Sequence, residues 1–341
     1  MIKVSVVILN WNGKDLLRKL LGNVVKHSAS DKCKIYLADN GSTDGSCEYV
    51  RENHPEVRIL EMKDNYGFAR GYNEALKKIQ SEYFVLLNSD VEVSPGWLDP
   101  LTGYMDKHPE AAACQPKILS YHDRNKFEYA GAAGGYIDKY GYPFCRGRIM
   151  NITEEDKGQY DDTRRIFWAS GACMLVRSSD WKESGGFDPD FFAHMEEIDL
   201  CWRLNNKGRH IVFIPGSKVY HIGGGTLPYN APGKVYFNFR NNLYMLYKNL
   251  NERKRGKTLF IRMVLDGVAA ARFALTLNFK ASMSVIRAHI HYYRHKKNLR
   301  QRMEISKDKR FDIPSELILN KSLVFNFFIV RKRTFSELIN N

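Results

Sequence analysis

The chain lacks the short signatures of several common chemistries. None of its six cysteines falls in a CxxC pair, and no cysteine–histidine cluster has zinc spacing, which excludes a structural zinc module. The cysteines stand singly at 33, 47, 114, 145, 173 and 201, as small apolar residues do in a reducing compartment. No GxGxxG follows the first apolar run and no GxxxxGK[ST] occurs, so the dinucleotide fingerprint and the phosphate loop are both missing. Leu259 to Leu277 is rich in apolar residues but carries Arg262, Asp266 and Arg272, charges that a membrane-spanning helix rarely tolerates. The N-terminus opens on Ile2-Lys3-Val4-Ser5-Val6-Val7-Ile8-Leu9, a strand rather than a secretory leader, and the expected location is the cytoplasm.

Acidic residues are in the minority, and the formal net charge is +14. Such a balance points to polyanion partners: nucleic acid, an anionic membrane surface or phosphorylated substrates. The excess is concentrated over residues 251–310, where only Glu252, Asp266, Glu304 and Asp308 offset a dense run of lysine and arginine. These basic residues lack aromatic interleaving or any recognised nucleic-acid module, so no nucleic-acid partner is expected.

Apolar runs alternate with helical spacing along the first part of the chain. Strands are predicted over residues 2–9, 34–38, 57–61 and 83–87, with helices over 14–27, 46–53 and 71–80. This alternation implies an α/β fold, a mostly parallel sheet covered on both faces, with ligands beyond the carboxyl ends of the strands. Three strands end in polar punctuation, Asn10-Trp11-Asn12, Asp39-Asn40-Gly41 and Asn88-Ser89-Asp90, which a parallel sheet would gather at one edge. Gly131-Ala132-Ala133-Gly134-Gly135 reads as a loop or hairpin, and 211–219 as a strand. Beyond about residue 235 the alternation gives way to helices over 236–250 and 258–303. The chain thus divides into residues 1–235 and a basic, mostly helical C-terminal region, 236–341. That region fits either a basic amphipathic surface on an anionic bilayer or a helical hairpin packed on the main domain.

The segment Phe191-Phe192-Ala193-His194-Met195-Glu196-Glu197-Ile198-Asp199 places three carboxylates within four residues among apolar neighbours. Crowded like charges beside buried aromatics are disfavoured, so a general base or a cation site is one reading. The other is a helix start with Met195, Ile198 and Trp202 inward and the acids in solvent, where the helix dipole favours them.

Together these motifs resemble the glycosyltransferase family two enzymes with the GT-A fold, a Rossmann-like sheet flanked by helices. The resemblance is collinear over roughly residues 3 to 225. It rests on Val6-Val7-Ile8-Leu9-Asn10-Trp11-Asn12, Asp39-Asn40-Gly41-Ser42-Thr43-Asp44, Asn65-Tyr66-Gly67-Phe68-Ala69-Arg70-Gly71-Tyr72-Asn73, Leu86-Leu87-Asn88-Ser89-Asp90 and the block from Gly185 to Arg203. The details look most like the rhamnosyltransferase-like branch.

The resemblance implies a sugar nucleotide donor, UDP- or dTDP-linked, and a glycan or lipid-linked glycan acceptor. Asn10, Trp11, Asn12, Asp39, Asn40, Asn65, Gly67, Arg70, Asn73, Asn88 and Ser89 become candidates for the nucleotide. Asp39 suits a pyrimidine N3–H, which cytosine lacks, or else caps its turn. Asp44 reads as a turn and helix cap. Trp11 contacts the nucleotide or packs, and Arg70 reaches the diphosphate or is an exposed helix-start arginine. The Leu86–Asp90 block matches the DxD element with Asn88 in its first position, making Asp90 the ligand of a Mg²⁺ or Mn²⁺ ion that stabilises the diphosphate leaving group. His221 is a second ligand or a hydrogen-bonded loop histidine. Glu197 stands where the family has an aspartate base, with Glu196 beside it and Asp199 in reserve. A single base and direct attack at the anomeric carbon predict inversion. The Trp168–Cys173 stretch is expected to border a sugar. A nucleotidyltransferase is the second enzyme reading, though its usual basic glycine-rich loop after the first strand is missing. A non-enzymatic polyanion-binding protein is a third. The implied setting is the inner face of the cell membrane.

Overall fold

The periodicities fold much as they dictate. The structure is a computed structural model describing residues 2–223, 232–305 and 311–340, without the side chains of 301–305. The first half runs β1 (Val4–Asn10), α1 (Lys14–Ser28), β2 (Cys33–Asp39), α2 (Ser46–Asn53), β3 (Arg58–Glu61), α3 (Gly67–Leu76), β4 (Tyr83–Asn88), β5 (Val91–Val93), α4 (Leu98–Lys107) and β6 (Ala111–Ser120). A meander of short strands follows: β7 (Gly135–Asp138), β8 (Pro143–Cys145), β9 (Arg148–Ile149), β10 (Ile152–Thr153) and β11 (Arg164–Ile166). Then come β12 (Cys173–Arg177), α5 (Ser178–Ser184), α6 (Glu196–Asn206) and β13 (His210–His221). The chain continues through α7 (Pro232–Asn249), α8 (Glu252–Leu275), α9 (Phe279–Ile305) and β14 (Ile318–Leu319).

The main sheet has the order β11-β13-β6-β12-β4-β1-β2-β3, with β5 beside β13. Strands β4, β1, β2 and β3 are mutually parallel, as the crossover helices require. The sheet is buried on both faces, so its central strands are continuously apolar. Val6 and Ile8 of β1 join Val85 and Leu87 of β4 under α1 and α4, while Val7, Phe84 and Leu86 face the opposite core. Each such side chain contributes about 1.5–3 kcal/mol relative to exposure. The second sheet, β10-β9-β8-β7-β14, joins the C-terminal segment to the middle of the chain.

Two elements differ from expectation for local reasons. Helix α3 starts at Gly67 rather than Gly71, because the Asn65 side chain accepts the Gly67 N–H at 2.8 Å and initiates the turn early. The helix expected over 258–303 is two helices. Leu277 takes a left-handed φ of 58°, and the Asn278 side chain accepts the Ala281 N–H, opening α9. The boundary expected at 235 falls inside α7. Of the segment 131–135, residues 131–134 are a loop and Gly135 opens the β7–β8 hairpin. Among the described residues, no helix is long and apolar enough to cross a membrane.

Candidate active site

The parallel register of β4, β1 and β2 brings the three polar strand ends together. Asn10 lies opposite Asp39, and Leu9 opposite Asn88. Asn10 Nδ2 donates to Asp39 Oδ1 at 3.0 Å and to Ser42 Oγ at 3.1 Å, while Ser42 N–H donates to Asp39 Oδ2 at 2.9 Å. Asp39 therefore caps its own turn, and it is buried at the floor of the edge. Asn12, in the left-handed region, accepts the Thr43 N–H through its side chain and ties the first turn to the second. Asn10 Oδ1 is buried without a partner, and a Cβ on Gly13 would lie 2.4 Å from it. Asn40 Nδ2 donates to Asn65 Oδ1 and to the Gly67 carbonyl, bringing the 65–67 turn to the same edge. Trp11 and Arg70 are exposed there, the Arg70 guanidinium 4.3 Å from the Tyr66 ring centroid. Asn88 and Ser89 are half-buried at the end of β4. Asp44 behaves as a cap, accepting the Lys14 and Ser46 N–H groups. Asn73 is occupied elsewhere: its amide clamps the backbone of Phe187 in both directions.

Asp90 and His221 meet because β13 runs beside β5 until His221 lies opposite Val91. His221 Nε2 is 3.0 Å from Asp90 Oδ1, and its Nδ1 is 3.0 Å from Glu128 Oε2. All three residues are buried, yet the ring nitrogens are off the axes of directed hydrogen bonds, so charge holds the cluster. Burial opposes charge on the imidazole, but the two carboxylates override it and push His221 up to about 10. Burial likewise works against ionised Asp90, and the His221 charge outweighs it, holding the carboxyl below its usual value. The Asp90 carboxylate is an oxygen donor of the kind Mg²⁺ or Mn²⁺ takes, whereas His221, charged between its two carboxylates, would have to give up its proton before a ring nitrogen could join it. Among the described residues no group of three or more such side chains is arranged to hold an ion unaided. Gly224, Gly225 and Thr226 lie outside the described residues. Glu128 carried no sequence signal, since it follows β6 in an ordinary-looking loop.

The glutamate pair begins α6. Glu196 is buried and Glu197 half-buried, and each has one carboxylate oxygen shielded from water without a partner. Burial and then the Glu197 charge lift Glu196 well above the usual carboxylate range. Burial raises Glu197 to about 7, although backbone N–H groups at the helix start pull the other way. A Cβ on Gly171 would stand 3.2–3.3 Å from the Phe68 ring and 3.9 Å from the Glu197 Cβ, so the absence of a side chain there lets the buried 168–173 stretch pack closely against this acid. Asp199 points away, fully buried. It accepts from Arg203 Nε at 2.9 Å, Lys248 Nζ at 3.0 Å and Asn249 Nδ2 at 2.8 Å. The reserve position for the base is thus filled by a structural network that locks α6 to α7.

The loop before the pair is strained. Phe192, His194 and Met195 all have left-handed φ angles of 60–71°. The surroundings hold it there. Asn241 Nδ2 lies 2.7–2.9 Å from the carbonyls of Phe191, Ala193 and His194, and Arg240 donates to those of Asp190 and Phe191. The Phe192 carbonyl accepts the N–H groups of Phe68 and Ala69 at the start of α3. The only sequence hint of this role is the polar run Arg240-Asn241-Asn242 inside an aromatic helix.

A Rossmann-like sheet flanked by helices, with polar turns gathered at its carboxyl edge and an acid pair at the start of α6, fits the GT-A class of fold. Residues 5–183, a little over half of the chain, match the family model for glycosyl transferase family 2, and the chain belongs to that family. A Mycobacterium tuberculosis N-acetylglucosaminyl-diphospho-decaprenol L-rhamnosyltransferase is 30% identical over 205 residues, 55% of this chain and 66% of that protein. The match thus spans slightly under two thirds of that relative's length. Rhamnosyltransferase WbbL of Escherichia coli is 25% identical over 226 residues, 64% of this chain and 83% of that one. Among solved structures, GalNAc-T7 with UDP, GalNAc and Mn²⁺ has a TM-score of 0.58 at 19% identity, covering 73% of this chain and 49% of that one. S. aureus TarS 1–349 with UDP-GlcNAc has a TM-score of 0.56 at 15% identity, covering 84% and 79%. These two likenesses concern the fold.

Proposed function

We propose that the protein is an inverting, metal-dependent glycosyltransferase that moves a sugar from a UDP- or dTDP-sugar, with rhamnose the favoured donor sugar, to a hydroxyl of a lipid-linked or surface glycan. The observation that carries this reading is the half-buried Glu197 carboxyl, with one oxygen shielded from water and without a partner, raised to about 7 beside Glu196. An acid with a pKa near neutrality accepts a proton well at working pH and releases it again to solvent. In the transfer, the acceptor hydroxyl gives its proton to Glu197 while its oxygen attacks the anomeric carbon. The bond to the nucleoside diphosphate breaks on the opposite side, which inverts the centre. Glu196, kept neutral by burial beside Glu197, limits like-charge repulsion within the pair. Asp39 and Asn10 orient the base at the edge, with the turns at Asn12, Asn40, Asn65 and Gly67 shaping its walls. Asp90 would hold a Mg²⁺ or Mn²⁺ ion, with His221 joining it only on loss of its proton, and the ion's chemistry there is to offset the charge gathering on the departing diphosphate. Asp199 serves as an anchor of α6.

The relatives named for rhamnosyl transfer to a diphospho-decaprenol acceptor and for WbbL support the donor sugar and the lipid-linked acceptor. The C-terminal helices support a location at a membrane surface. Phe260, Val264, Val268, Leu275, Leu277, Phe279 and Met283 are exposed along and around the α8–α9 turn of a strongly basic chain. This suits the surface of an anionic bilayer on the cytoplasmic side.

A thermal-shift panel of nucleotides and sugar nucleotides with and without Mn²⁺ tests the donor reading. UDP or dTDP ligands should raise the melting temperature only with the metal, and Asp90→Asn should abolish that dependence. Full turnover in excess EDTA would rule out the metal-assisted reaction.

A further inference from the structure

A groove of about 670 Å³ runs between α7 and α9, outside the strand-end site. Tyr236, Phe237 and Ile290 give it an apolar lining, Arg287 and Arg294 give it positive charge, and His291 lies between them, held neutral by burial and the neighbouring cations. Arg287 and Arg294 are exposed, and among the described residues neither has a carboxylate at ion-pairing distance. His291 stacks on His295 with ring centroids 4.0 Å apart, and the Tyr236 hydroxyl bonds to His291 Nδ1. Like cations crowded along one helix repel one another unless an anion joins them.

The groove has two directions. Inward, Phe237 stacks on Phe192 at 5.4 Å with an interplanar angle of 16°. Phe192 belongs to the strained loop that delivers Glu196 and Glu197. Outward, the lip of α9 continues as Ile290, Ile286, Met283 and Phe279, all exposed and spaced at helical intervals. An apolar lining, cations without carboxylate partners and an exposed apolar runway together fit an amphiphile with an anionic head and a long hydrocarbon chain. A bare nucleotide or a polysaccharide has no use for the runway.

Resting on the transferase reading above, we propose that this groove seats the diphosphate and first isoprenyl units of a lipid-linked acceptor. Arg287 and Arg294 pair with the diphosphate oxygens. The chain follows the α9 strip outward, and the attached sugar passes the Phe192–Phe237 stack toward Glu197.

The test uses the intact protein and geranylgeranyl diphosphate in detergent, with EDTA present to suppress binding at the donor edge. Calorimetry should show binding to the wild type, at least tenfold weaker in the Arg287→Ala/Arg294→Ala double variant and in Ile290→Glu. Both variants change exposed side chains, and melting curves should match the wild type. Geranylgeraniol and inorganic diphosphate should each bind at least tenfold more weakly than the whole probe. Unchanged affinity in both variants, or inorganic diphosphate binding as tightly as the lipid, would overturn the groove assignment. Nucleotide binding with Mn²⁺ should be the same in all three proteins. Its absence from the wild type would instead sink the transferase reading.

Discussion

Glu197 combines two costs that a chemical role explains. One of its carboxylate oxygens is shielded from water, a second acid stands beside it, and burial raises it from an ordinary value to about 7. Glu197→Gln should therefore lose ~10²–10⁴ in turnover, the usual contribution of a positioned base, while donor affinity stays intact. In the wild type, kcat should rise with pH through about 7, because the acid must be ionised to accept a proton. The stability effect has the opposite sign. A carboxyl whose folded pKa lies above its unfolded one favours folding while protonated, and loses that advantage as pH rises. Glu197→Gln should then be more stable than the wild type at pH 8 by roughly 1–3 kcal/mol, and indistinguishable at pH 4, read by thermal melts. Equal melting at both pH values would show that Glu197 is well solvated in the fold. The polar strand ends were legible in the sequence, since only loop edges of a parallel sheet tolerate Asn10, Asp39 and Asp90 after such apolar runs. Glu128 was not legible, because its partner His221 reaches it only through the pairing of β13 with β6 and β5. The same holds for Asp199. Its sequence neighbours suggest catalysis, while Lys248 and Asn249, from a distant helix, make it a structural anchor.

Helices that look like a separate tail build part of the site. Residues of α7 hold the loop from Asp190 to His194 through Arg240 and Asn241, and Lys248 bridges Asp188 and Asp199. Sequence periodicity identified α7 as a helix but not its face, since buried arginine and asparagine read as solvent-facing until the carbonyls they serve are known. Asn241→Leu should leave donor binding unchanged, lower kcat at least tenfold by letting the left-handed turn relax, and cost about 1–3 kcal/mol in stability. Retained kcat with the same loss of stability would mean that the turn keeps its shape without Asn241. The break between α8 and α9 illustrates a different limit. Apolar spacing continues straight through Thr276 and Leu277, and only the capping by Asn278 and the left-handed backbone at Leu277 end the helix.

At the scale of the whole molecule, charge and apolar exposure fall on the same helices. Replacing Leu275, Leu277 and Phe279 by serine should weaken sedimentation with phosphatidylglycerol vesicles several-fold without changing nucleotide binding, and wild-type association should fall as salt rises. Wild-type protein that ignores such vesicles at low salt would confine these helices to binding other proteins or the acceptor. Deletion from residue 251 would be a poor test, because the segment after α9 completes the second sheet. Ile318 and Leu319 pair with β7, Leu323 N–H donates to Asp138 Oδ2 at 2.8 Å, and Phe335 packs among Tyr136, Phe144 and Tyr160. This stitching has a consequence during synthesis. Asp138 leaves the ribosome 185 residues ahead of Leu323, an interval of roughly ten to forty seconds at ordinary elongation rates. For all of that time β7 presents a bare strand edge, open to any other extended chain nearby. The nascent chain thus carries an open pairing site until residues 318–323 emerge to close the seam.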